Sequence, residues 1–217
     1  QILSNSDILI SGNKIQQIGN NLKGDKEIDC SQNIVMPGLI NLHTHAAMNL
    51  FRGIADDMLL DKWLGKIQPL ERVMTKDQIY VSSTMAIQEM LATGTTCFND
   101  QYFGTIKTAD AVKELGIRAV LSRGLGDSDP TQSITQKFAE AEKILKYIRS
   151  LKCSRIGFTI GPHAIYSCSK PTLLKAQRFG RKHKVLVHTH VAETRKELAD
   201  SLKNYGKRPI EYLESIG

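Results

Sequence analysis

His43 and His45 flank a single threonine in "NLHTHAAMNLFRG", directly after the apolar run "IVMPGLI". On a β-strand, side chains at i and i+2 share a face, so two imidazoles at this spacing point into the same space. If the run is a barrel-type strand, they stand at its C-terminal end, where the active sites of such barrels lie. Two imidazoles there begin a zinc or iron site, but zinc takes at least three protein ligands. The other reading of the pair is two histidines making ordinary hydrogen bonds. A second stretch, "VLVHTHVAET", repeats the spacing with His188 and His190 and places Glu193 just beyond. His190 is nearer the carboxyl end and is the better ligand, while His188 is expected behind it or simply packed. A carboxylate this close to a metal-binding His suits a proton shuttle. Alternatively, Glu193 only adds negative charge ahead of a helix that Thr194 caps.

His163 follows another apolar run, in "GPHAIYS", and is expected at the same end of the sheet. The connection from His45 to Thr95 is long and carries Trp63, the only Trp, together with Glu71 in "IQPLER". A long first loop on the catalytic face is a natural place for substrate contacts; a core Trp and a surface Glu are the plain alternatives. Arg123, at the end of its strand, is placed to hold a carboxylate or phosphate, or to pair with Asp127.

These residues need elements to carry them. From Pro37 onward, short apolar runs at 38–43, 95–99, 118–123, 155–160 and 185–190 alternate with amphipathic segments. Thr75-Lys76-Asp77-Gln78 reads as a capping box, followed by one apolar face of Ile79, Ala86, Ile87, Met90 and Leu91 and a stop at Gly94. Gly116 ends the next helix, and Ile134, Phe138, Ala141, Leu145 and Ile148 form a stripe on another. Ser169 with Pro171 opens a further helix with Gly180 near its end, Thr194–Glu197 reads as a second capping box, and Pro209 opens a last helix. Strand-then-helix repeats predict a parallel sheet with helices outside it. No G-x-G-x-x-G or P-loop is present, which removes the commonest reason for an open nucleotide-binding sheet. An eight-stranded barrel needs about 250 residues, so five strands leave the architecture unfinished. Before Pro37, "DILISGNKIQQIG" reads as two strands around a Gly-Asn turn, with "EIDCSQNIVM" as a third run.

The bulk composition sets limits. The chain is 41% hydrophobic and 24% charged, the profile of a globular protein rather than a disordered one. Cys30, Cys97, Cys153 and Cys168 form no C-x-x-C pair, which argues against a disulfide framework or a cysteine zinc site and favours a reducing cytoplasm. The formal charge is +7, but the basic residues are spread out and densest at 175–184, where helical spacing favours a solvated face; no nucleic-acid partner is expected. No apolar run approaches a membrane span and no leader pattern opens the chain, so no membrane partner is expected. The chain starts at Gln1, already inside a strand-like run, and a preceding segment is expected to be missing. A homo-oligomer is compatible with the sequence, which does not set the oligomeric state.

Together, "VMPGLINLHTHAAMNLFRGIADDMLLDKWL", "EMLATGTTCFNDQYF", "GPHAIYS" and "HTHVAET" resemble the amidohydrolase superfamily. The resemblance is strongest to its 5′-methylthioadenosine/S-adenosylhomocysteine deaminases and related chlorohydrolases, and runs from about Asp7 to Gly217. It implies an α/β fold, a (β/α)₈ barrel of which about five strands are present. It also implies a small β-sandwich built from both chain ends, with residues 1–36 in the sandwich and 37–217 in the barrel. It implies one divalent ion, zinc or else iron, on His43, His45 and His190, with Glu193 as proton shuttle. Glu71, Arg123 and His163 match substrate-contacting positions, and Trp63 an aromatic wall. A second substrate Arg finds no match in "DSDPTQSITQ" (127–136). A sixth-strand His and an eighth-strand Asp are expected beyond Gly217, so the piece alone is expected to be inactive and to need the C-terminal half. The implied reaction is hydrolytic deamination of an adenine-type nucleoside. Guanine or cytosine deamination and triazine dechlorination are alternatives on the same scaffold. Ring-opening amide hydrolysis is disfavoured, because "RIGFTIGPH" has no Lys to bridge a second metal. In another class stands a non-catalytic fragment acting in binding or assembly.

Overall fold

The computed structural model describes residues 2–127 and 132–217, and the chain divides into two compact units, Gln1–Pro37 and Gly38–Gly217. Residues 128–131, within the stretch where a second substrate Arg was sought, lie outside the described residues.

In the first unit, β1 (Asp7–Ser11) and β2 (Lys14–Gly19) pair antiparallel. Gly12 takes φ +60° at the first central position of the two-residue turn, where a side chain would be strained. The third expected strand does not form. Within it the Asp29 carboxylate accepts from the Ser31 N–H at 2.9 Å and Asn33 N–H donates to Cys30 O, a local turn that takes the backbone groups a ladder would need. Ile34, Val35 and Met36 that follow are exposed.

The second unit is a parallel sheet in the order β3-β4-β5-β6: Leu39–Thr44, Thr95–Tyr102, Arg118–Leu125 and Ile156–Pro162. Neighbours in sequence are neighbours in space because each crossover is helical. The helices are α1 (Leu60–Glu71), α2 (Lys76–Ala92), α3 (Thr105–Leu115), α4 (Ile134–Ser150), α5 (Lys170–His183), α6 (Arg195–Tyr205) and α7 (Pro209–Ile216). A 3₁₀ turn, Ala46–Phe51, follows β3 directly. Phe98, Leu121, Phe158 and Ile160 of the strands pack with Ile87, Val112, Phe138, Ala141 and Phe179 of the helices in one apolar cluster. Strand alternation then turns Gln101, Ser122 and Gly161 to the opposite face. A Cβ on Gly161 would lie 3.0 Å from both Gln101 and Ser122, so this glycine lets the polar face close.

The helix signals hold with local amendments. Thr75 and Gln78 form both arms of their capping box, and Gly94 and Gly116 take positive φ after α2 and α3. Ile79, Ala86 and Ile87 are buried as expected, whereas Leu91 is exposed. α5 runs past Gly180 and ends at Lys184, itself left-handed at φ +56°. Thr194 caps α6, but Glu197 does not return the second arm. The fifth expected strand is reduced to one parallel bridge, Ile160 to Val187, flanked by Ile160 N–H to Leu186 O and His188 N–H to Ile160 O. Its backbone then turns to His163 O, which takes the His190 N–H at 2.8 Å and draws the segment off the ladder.

Candidate metal centre

The end of β3 is fixed by a buried carboxylate. Asp100, 1% exposed, accepts from the Thr44 hydroxyl at 2.9 Å and from the Ala46 N–H at 2.6 Å, on either side of His45. Burial pushes the Asp100 carboxyl up to about 6, against those two hydrogen bonds, which favour its charged form. With the chain pinned there, His43 and His45 turn their rings to one side, 4.9 Å apart by centroids. His190 joins them, its ring 4.6 Å from His43 and 5.3 Å from His45.

Two backbone carbonyls set which nitrogens face inward. His45 Nδ1 lies 2.6 Å from Gln101 O and His190 Nδ1 2.8 Å from His163 O, so each Nδ1 carries the proton and donates. The Nε2 lone pairs therefore meet: His45 Nε2 lies 3.3 Å from His43 Nε2 and 3.2 Å from His190 Nε2. Ligand atoms of all three residues fall within 4.8 Å of one another. Two imidazole nitrogens sharing a tetrahedral zinc stand about 3.3 Å apart, given Zn–N distances of about 2.0–2.1 Å. The donor set fits a divalent cation on spacing, tautomer and charge. Burial first, then the neighbouring His45 and His190, hold His43 down to about 4, and burial likewise lowers His45. Neutral imidazole is the form that binds metal.

Around the cluster, His188 Nε2 lies 2.9 Å from His43 Nδ1, and burial lowers His188 to about 4. The His163 ring lies tilted 4.6 Å from that of His190, bonds Ser167 Oγ through Nδ1 at 2.8 Å, and is lowered by burial to about 4. Glu193 is exposed and accepts at Oε2 from the Tyr166 hydroxyl at 3.1 Å. Glu71 sits on α1 and accepts from the Tyr102 hydroxyl at 2.7 Å, and burial raises its carboxyl. Trp63, on the same helix, is half-buried and forms none of the ring contacts that link the histidines. Arg123 lies apart from the cluster. It faces α4, where its Nε donates to Glu140 at 2.8 Å, and a terminal nitrogen donates to Gln132, just ahead of that helix, at 3.0 Å. Asp127, the partner considered from sequence, instead accepts from Ser169 N–H and the Thr172 hydroxyl at the start of α5.

Residues 34–217 match the amidohydrolase family. The chain belongs to the amidohydrolase family. Among its relatives, a 5′-deoxyadenosine deaminase of Methanocaldococcus jannaschii is 42% identical over 97% of this amidohydrolase chain and 51% of its own length. A 5-methylthioadenosine/S-adenosylhomocysteine deaminase of Thermococcus onnurineus is 38% identical over 98% of this chain and 51% of its own. The crystal structure of an adenosine deaminase from Xanthomonas campestris with bound zinc superposes with TM-score 0.86 at 30% identity, covering 99% of this chain and 51% of that one. The chain thus spans about half the length of the relatives it matches, and its four-stranded parallel sheet with outer helices is part of the α/β barrel fold. No helix among the described residues is long and apolar enough to cross a membrane.

Several residues that brace the histidine cluster or contact Glu193 escaped the sequence reading: Asp100, the Gln101 carbonyl, Tyr166 and Glu197. Asp100 had only a weak signal, an acidic residue between Asn99 and Gln101 directly after the short run 95–99. The carbonyl of Gln101 had none, since every residue carries one.

Proposed function

We propose that the full-length protein hydrolytically deaminates a 5′-substituted adenine nucleoside, releasing ammonia and the inosine-type product. The convergence of three Nε2 atoms, ahead of Glu193 in the same chain, carries this reading. His43, His45 and His190 would hold one zinc ion, with iron the alternative. A divalent ion there supplies Lewis acidity, which makes water nucleophilic near neutral pH. The protein's own groups do the rest. Glu193 delivers a proton to the ring nitrogen beside the carbon bearing the amine and then assists the leaving ammonia. The Tyr166 hydroxyl steadies that carboxylate at Oε2. Glu71 and His163 contact the nucleoside and Trp63 forms a wall of its pocket, whereas Arg123, held by Glu140 on α4, is left to brace the barrel wall. The C-terminal half supplies the remaining barrel strands, with a further His and an Asp, and completes a sandwich begun by residues 1–36.

Metal analysis of the purified full-length protein should return close to one equivalent; absence of stoichiometric metal overturns the centre. Glu193→Gln should keep the metal and lose turnover by about 10²–10⁴-fold. Ammonia release by that variant at the wild-type rate removes the shuttle. A panel of 5′-deoxyadenosine, 5′-methylthioadenosine, S-adenosylhomocysteine, adenosine, guanine and cytosine ranks the substrates, and preference for guanine or cytosine defeats the adenine reading.

A further inference from the structure

Thr194-Arg195-Lys196-Glu197 has the sequence of a capping box, in which the Glu side chain returns to the N-cap N–H. One arm forms: Thr194 Oγ1 accepts from the Glu197 N–H at 3.0 Å. The other reaches one residue further back, and Glu197 Oε2 accepts from the N–H of Glu193 at 2.7 Å. Glu197 is 3% exposed, and its Oε1 has no hydrogen-bond partner among the described residues. A carboxylate serving only as a helix cap sits at no such cost on a solvated helix end. The residue before Glu193 is also unusual. Ala192 has φ +55°, a left-handed conformation that a Cβ disfavours. The backbone thus turns sharply between His190 and Glu193, and the peptide that emerges is the one Glu197 grips.

We propose that Glu197 is a positioning residue: its buried carboxylate clamps the Glu193 backbone N–H, holds the Ala192 turn closed, and so aims the Glu193 side chain. This rests on the proton-shuttle role proposed for Glu193. The clamp and the Tyr166 hydroxyl act at opposite ends of that residue, one on its main chain and one on its carboxylate. Misaiming a proton-transfer group lowers turnover more than substrate binding, because substrate contacts made elsewhere stay intact.

The test uses the full-length, metal-loaded enzyme with 5′-deoxyadenosine, reading kcat and KM from ammonia release, together with metal content and Tm. Glu197→Ala should lower kcat by about 10- to 100-fold with KM nearly unchanged and metal retained. Glu197→Asp keeps a carboxylate but falls one methylene short of the Glu193 N–H, and should lose kcat to a similar degree even if the Ala variant does not fold. Glu197→Gln keeps an acceptor oxygen at the right reach and should recover most of the turnover. Thr194→Ala removes the α6 cap and leaves the clamp, so it should lower Tm with kcat near wild type. Wild-type kcat in folded Glu197→Asp, or an equal loss of kcat in Thr194→Ala, overturns the positioning role alone. A wild-type enzyme inactive on every adenine nucleoside removes the functional reading and this role with it.

Discussion

The chain contains the tripeptide His-Thr-His twice, at 43–45 and 188–190, and the two copies are used differently. In the first, both rings turn Nε2 to the cluster. In the second, only His190 does, while His188 stands behind and meets His43 through that ring's outer nitrogen. Identical spacing therefore puts the rings on one side without deciding their depth. Depth follows the ladder. Thr44 is the last paired residue of β3, so the first pair straddles the strand end. The His188 N–H still bonds Ile160 O within the sheet, and only His190 has moved out to His163 O. The central threonines differ as well: Thr44 donates to the buried Asp100 carboxylate, Thr189 to the His163 carbonyl.

The largest effect should separate ligand from neighbour. In the full-length protein, His45→Ala or His190→Ala should abolish stoichiometric metal binding. His188→Ala should keep it with affinity lowered by about 10- to 100-fold, the usual effect of losing a residue that orients a ligand. Competition with a chromophoric chelator measures both, and equal losses at His188 and His190 would break the asymmetry.

Among the described residues, no carboxylate accepts from the residues directly flanking His190 as Asp100 does from Thr44 and Ala46 beside His45. The Asp100 carboxyl, held up to about 6 by burial against an ordinary 3.8, binds its proton more tightly folded than unfolded. Its contribution to stability is full below pH 3.8 and is lost as pH rises through about 6. Between pH 3.5 and 7 the wild type should lose about 3 kcal/mol relative to Asp100→Asn. Urea denaturation across that range reads it, and parallel profiles for the two proteins would show that Asp100 is not the group responsible.

The smallest effect compares the threonines. Thr44→Val deprives a buried carboxylate of one of two donors and should cost about 1–3 kcal/mol. Thr189→Val leaves the His163 carbonyl with the His190 N–H and Nδ1–H and should cost about 0.5–1.5 kcal/mol. Thermal unfolding ranks them, and the reverse order would point to an anchor on the second copy stronger than the one seen.

Much of the scaffold was legible because helix starts and stops are local. Thr75 to Gln78, Gly94, Gly116 and Pro209 act through neighbours a few residues away, and four of the five barrel strands lie where short apolar runs predicted them. Where local signals competed, the reading slipped. The run 27–36 closed into a turn at Asp29, Glu197 abandoned its cap for Glu193, and Arg123 turned to Glu140 on α4.

By itself, the sequence determined the strand-and-helix alternation and which histidines share a face, since both follow from the period-two geometry of the extended chain. The tertiary structure decided how deep each ring stands, which nitrogen it presents, and which carboxylates brace the strand ends. Those outcomes depend on carbonyls and carboxyls brought from distant positions, such as Gln101 to His45 and Asp100 to Ala46, and no spacing along the chain encodes them.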